Sequence, residues 1–124
     1  MKFRTLMIIK AIVCASFGVF ILFAPGTIYT ILGISLNQAG YIPARQYAAS
    51  LFGNLMLTWI AKDSTESVAR KAIIVALCVY DAIGFIVTLI ALLTGQMNAL
   101  GWAIAALYLF LALGFGYFWM KEPK

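Results

Sequence analysis

The sequence predicts an all-α integral membrane protein, a single domain over residues 1–124 whose four transmembrane helices form a bundle. Three observations predict it. Of 124 residues, 65% are hydrophobic and only 10% charged, whereas a soluble domain carries about a quarter charged residues. The mean hydropathy is +1.01, and a water-soluble chain this short could not bury so much apolar surface. The apolar residues also fall into four runs, close to the roughly 20 residues a helix needs to cross a bilayer. None alternates with the period of two of a barrel strand, and helices satisfy their own backbone groups, as hydrocarbon demands.

The first span covers 6–24, "LMIIKAIVCASFGVFILFA", and is stopped by Pro25-Gly26. With "MKFR" ahead of it, it has the outline of a secretory leader. Pro25 directly after Ala24 makes a poor cleavage site, and Lys10 interrupts the apolar run, so it reads as a span. Segment 25–43 is uncharged and spaces Ile28, Ile31, Leu32 and Leu36 like one helical face. It predicts a short helix or partly buried loop at the outer interface.

The second span, 45–61, is the shortest and most polar. In "KDSTESVARK", Asp63 with Glu66 three residues on reads as a capping box. The third helix is therefore expected to begin ahead of its apolar span, 69–94. The short turn at 95–97 then forces an antiparallel hairpin with the fourth span, 98–120. Glu122 reads, with the other loop acids, as solvated or capping. Trp59, Trp102, Trp119, Tyr117 and Tyr41 fall near span ends, where aromatic belts belong.

The net charge of +5 reads as topology and not as nucleic-acid binding, since no basic cluster is interleaved with aromatics. Lys2, Arg4, Lys10, Lys62, Arg70, Lys71, Lys121 and Lys124 share one side, and Arg45 stands alone on the other. That bias predicts an inner-membrane protein with both termini cytoplasmic.

Helices in lipid associate through close packing at small residues and through interhelical hydrogen bonds. Ala11, Ala15 and Gly18 make such a face on the first helix. Ala49 and Gly53 do so on the second, and Ala112 with Gly116 on the fourth. On the second helix Gln46, Ser50, Asn54 and Thr58 form a polar stripe. On the third, Asp81 shares a face with Cys78, Gly84, Phe85 and Thr88. Both stripes are expected to point into the bundle, because polar groups in hydrocarbon are expensive.

At ~1.5 Å rise per residue, Asp81 lies roughly 15 Å from the cytoplasmic end, near mid-membrane. Cys14, Ser16, Ser50, Asn54 and Tyr108 fall at a similar depth. Lys10, roughly 6 Å nearer the cytoplasm, and Arg45, roughly 9 Å nearer the outside, are the cations that could pair with Asp81. A neutral Asp81 could instead donate a hydrogen bond to Asn54, Ser50 or Tyr108.

Three readings of this layer stay open. Asp81 can be an interhelical tie, the polar element of a pocket for a lipid- or quinone-like molecule, or the ionisable carrier of a small proton-coupled transporter or channel. Enzyme chemistry finds little support: histidine is absent, and there is no paired acid, phosphate loop or nucleophile–base set. Cys14 and Cys78 make no CxxC pair, and with Asp81 they read as packing residues before metal ligands. No cofactor or metal is expected. The expected partners are membrane lipids, a quinone or other amphipathic ligand, and further copies or a larger membrane complex.

The stretches "ARQYAASLFGNLMLTWIAK" and "LLTGQMNALGWAIAALYLFLALGFGYF", with the "FAPG" stop after the first helix, carry a resemblance. The chain resembles the bacterial DoxX-like group and its four-helix relatives. That resemblance implies a four-helix inner-membrane protein, in a group some of whose members are tied to redox or quinone-linked complexes. It carries no catalytic motif onto residues here.

Overall fold

The computed structural model describes residues 2–121. Glu122 and Lys124 lie outside the described residues. Within them the protein is all helical: α1 (Phe3–Phe23), α2 (Pro25–Ile31), α3 (Gln38–Ala61), α4 (Val68–Leu93) and α5 (Gly101–Lys121). Helices α1, α4 and α5 are long and apolar enough to cross a membrane, which marks a membrane protein. Helix α3 is as long, at 24 residues, but Arg45, Gln46, Ser50 and Asn54 make it more polar.

Local chemistry sets the breaks. Pro25 cannot continue α1, and the residue before a proline is disfavoured in the α region, so Ala24 leaves it (φ −141°). Pro25 then opens α2 at a position where its missing N–H costs nothing. Helices α2 and α4 end alike. Gly33 (φ +80°) and Gly95 (φ +77°) take the left-handed conformation, and the next N–H reaches back, from Ile34 to the Tyr29 carbonyl and from Gln96 to that of Ala91.

Helix α3 starts seven residues earlier than its apolar run, because the Asn37 side chain caps it by accepting from the Gly40 N–H at 2.9 Å. The expected capping box is corrected. Ser67, not Asp63, caps α4, accepting from the Arg70 N–H at 3.1 Å. Asp63 instead pairs with Arg4 at 2.7 Å. Helix α5 begins at Gly101, not Asn98, because Asn98 sits in the turn and clamps it. Its N–H and Nδ2 donate to the Leu32 and Ile31 carbonyls, and its Oδ1 accepts from the Leu100 N–H. Asn98→Ala should therefore loosen α2 by about 1–2 kcal/mol, read as faster amide exchange confined to α2 and the 94–100 turn.

Edge contacts fix the arrangement. Phe3 meets Phe118 edge to face, Arg4 meets Asp63, and Asn98 ties the end of α2 to the start of α5. The long helices thus alternate in direction, and both ends of the described chain share one end of the molecule. Helix α1 packs chiefly on α3 and α4 chiefly on α5, while α1 and α5 join the pairs more sparsely.

The two halves differ. At the terminal end Phe3, Leu6, Met7, Ala61, Ile74, Leu77, Leu111 and Phe115 interlock from all four long helices. At the α2 end the buried cluster is Cys14, Ile21, Ala44, Ala48 and Leu51, drawn from α1 and α3 alone. Phe20, Phe23, Ile60, Val87 and Leu113 are exposed. Trp59, Trp102, Trp119 and Tyr117 are half exposed near helix ends, with Lys62 and Lys121 over the Trp59 and Tyr117 rings.

Candidate functional site: a cavity above a buried ion pair

Asp81 does not stand alone. Lys10 on α1 donates to its Oδ1 at 2.6 Å, and both side chains are sealed, at 2% and 0% exposure. The Lys10 ammonium also lies 4.7 Å from the Tyr80 ring centroid. An unpaired charge at this depth costs several kcal/mol, and a facing opposite charge offsets that only with close geometry. The four-carbon stem of Lys10 supplies the reach, so the lysine turns inward and not to the interface. The pair joins α1 to α4, and hence one helix pair to the other. The second carboxylate oxygen, Oδ2, is buried without a hydrogen-bond partner among the described residues.

The ion pair marks the floor of a cavity of about 270 Å³. Its walls are Val13, Cys14 and Phe17 from α1, Tyr47 and Leu51 from α3, Thr88 and Ala91 from α4, and Leu107, Tyr108 and Leu111 from α5. Ile28, Tyr29, Leu32 and Ile34 close it from the α2 side, with Met97. This space exists because the four-sided core stops at Leu77 and Leu111 and the α1–α3 cluster does not reach α4 and α5.

Few polar groups reach the cavity. Thr88 donates to the Gly84 carbonyl at 2.8 Å and so turns its hydroxyl back to its own helix. The Tyr47 and Tyr108 hydroxyls hydrogen-bond to each other across α3 and α5. Tyr108 is seated on Gly84, where a Cβ would stand 2.4 Å from its ring. Gly84→Ala should push the ring off and cost about 1–3 kcal/mol. Replacing Tyr108 with Leu in the same chain should restore part of that, measured by unfolding in mixed micelles.

The structure brings Asp81, Lys10 and Tyr108 to this site, and Cys14 with them. It keeps Arg45, Ser50 and Asn54 away. Arg45 is exposed, donating from Nε to the Leu22 carbonyl at 3.3 Å. Ser50 donates to the Tyr47 carbonyl at 2.6 Å and lies 3.3 Å from the Tyr80 hydroxyl. Asn54 donates to the Ser50 carbonyl at 2.7 Å. None of them, nor Tyr108, hydrogen-bonds to Asp81, and Ser16 is exposed.

The inward stripe on α3 holds at Thr58, which is buried, and is corrected at Gln46 and Ser50, because α3 otherwise presents Ala44, Ala48 and Leu51 to the interior. Leu51 meets Gly18 of α1, where a Cβ would lie 3.5 Å from it. That face leaves Gln46 and Ser50 outside, one residue's rotation away. Ala49 and Gly53, expected to pack, are exposed, and nothing lies within 4 Å of a Cβ built on Gly53. The faces on α1 and α5 do pack: Ala11, Gly18 and Ala112 are buried.

Sequence reasoning missed Tyr29 and Tyr47. The available signals were the four-residue spacing of Tyr47 and Leu51, and the position of Tyr29 beside Ile28 on the uncharged face of 25–43. No protein-family model, curated protein or solved structure matches this chain.

Proposed function

We propose that this protein is a non-catalytic binding or accessory protein of the inner membrane, holding a lipid- or quinone-like amphipathic molecule in the cavity above Lys10 and Asp81. The observation that carries the reading is the hollow between the helices on the α2 side of the ion pair. An apolar chamber of about 270 Å³, with a few hydroxyls in its wall, is the usual form of a small-molecule site. In this reading α3 is the fourth span. Its 24 residues reach ~36 Å at ~1.5 Å each, and Ser50, Asn54 and Thr58 bond to their own backbone. Lys2, Arg4, Lys62, Arg70, Lys71 and Lys121 lie towards one end, which supports a topology with both termini cytoplasmic. The kinship to DoxX-like proteins is part of the same proposal, resting on the "FAPG" stop and on the sequences of α3 and α5.

The test is solvent extraction of protein purified from bacterial inner membrane in mild detergent. One amphiphile in near-stoichiometric amount is the expected result. Phospholipid in bulk membrane proportions and nothing else would contradict it. The rival, a proton-coupled carrier, requires pH-driven flux in liposomes that Asp81→Asn abolishes. A binding protein gives no such flux, consistent with the half below Asp81 being filled by Leu6, Met7 and Phe115.

A further inference from the structure

The hydroxyl bond between Tyr47 and Tyr108 stands between two spaces. On one side is the inner cavity. On the other is an open groove of about 330 Å³ lined also by Tyr80, Ile83 and Gly84. Tyr47, Val87, Thr88 and Tyr108 line both. Ile83 and Val87 are exposed, so the groove opens on the apolar outer surface of the helices.

This seam is thinly packed. Helix α3 is packed against α1, and α5 against α4, with no comparable packing from α3 to either α4 or α5. Across it the hydrogen bonds among described residues are the tyrosine pair and Ser50 with Tyr80. Hydroxyl contacts separate at a cost of about one hydrogen bond each, whereas interlocked side chains do not.

Size and charge narrow the occupant. About 270 Å³ is at the lower edge of the ~300–1,000 Å³ of small-ligand sites, enough for a compact head of about one ring and too little for two acyl chains. Lys10 and Asp81 lie at the cavity floor but are already matched to each other, so an ionised head would be buried without a free counter-charge. A neutral head finds partners, because Tyr29 brings a hydroxyl with no hydrogen-bond partner among the described residues, and tyrosine hydroxyls both donate and accept.

We infer that the site takes a single-tailed amphiphile with a neutral hydroxyl- or carbonyl-bearing head in the inner cavity and its tail along the α3–α4 groove, admitted from the membrane by parting of Tyr47 and Tyr108. The inference rests on the binding reading above and adds the ligand class and the route.

Photolabelling in nanodiscs tests it, using 4-decylphenol with a diazirine either beside the ring or at the end of the tail. Only label removed by excess unlabelled 4-decylphenol is scored. Ring label is expected on Phe17 or Leu107, and tail label on Tyr80 or Ile83. Tail label on α2 or Met97 would overturn the route while leaving the cavity as a binding site. No competed ring label in the cavity would overturn the inference together with the binding reading. Didecanoylphosphatidylglycerol, two-tailed and anionic, is expected not to compete, and competition by it would overturn the ligand class.

Tyr47→Phe and Tyr108→Phe keep both rings and remove the bond. Each should speed exchange of tritiated 4-decylphenol about two- to tenfold, the worth of one hydrogen bond. Unchanged exchange in both folded variants would overturn the gate.

Discussion

Lys10→Met is expected to destabilise the protein by about 3–5 kcal/mol, and Asp81→Leu by a similar amount. Each leaves the other charge sealed between helices with its partner gone. In Lys10→Met the carboxylate is left with neither oxygen partnered, since among the described residues Oδ2 has no partner even in the intact pair. Combining Lys10→Met with Asp81→Leu removes both charges and should recover most of the loss, because an apolar pair of similar volume is often as stable as a buried ion pair. Reversible unfolding in mixed micelles measures all three. Additive losses in the double variant would mean that the residues act separately and that the tie between α1 and α4 is not theirs. Arg4→Ala, which breaks the half-exposed pair with Asp63, should cost under about 1 kcal/mol.

Which parts of this were legible in the chain follows from what each depends on. Helix ends depend on a few neighbouring residues. Pro25 could therefore be read as a stop, and the uncharged segment after it as holding a short helix or loop, although its last six residues join α3. Depth depends only on a fixed rise per residue. Counting along the spans was enough to bring Asp81, Cys14 and Tyr108 to one level, with Ser16, Ser50 and Asn54, and to offer Lys10, a turn nearer the cytoplasm, as a partner within reach.

Rotation about the helix axis is another matter. Helix α3 carries small residues on two faces, Ala44 and Ala48 on one, Ala49 and Gly53 on the other. Its polar side chains can bond to their own backbone as Ser50 and Asn54 do. Both faces are then tolerable, and the choice is made by how Gly18 of α1 seats against Leu51. Asp63 misled for a similar reason: a cap and a cross-chain partner need the same acid, and Arg4, 59 residues away, won it. The cavity was beyond sequence reading altogether. It is set by where the packing of four helices stops and by the α2 cap over the gap.

The second large effect concerns that gap. Ala91 lines the cavity from α4, between the α2 cap and the level of Thr88. Ala91→Phe should fill the space that a ligand head would occupy. Filling a pre-existing cavity commonly adds about 0.5–2 kcal/mol to stability, so the variant should unfold no more easily than the wild type while its ligand is excluded. Loss of binding with stability kept separates occupation of the cavity from general damage, which the charge variants cannot do.

Native mass spectrometry of the wild type and of Ala91→Phe, released side by side from the same mild detergent, tests the central claim most directly. The wild type should retain one bound amphiphile as a discrete mass increment that survives collisional removal of detergent, and Ala91→Phe should fly without it. An increment of equal size and abundance on both proteins, or on neither, would contradict a ligand seated above Lys10 and Asp81.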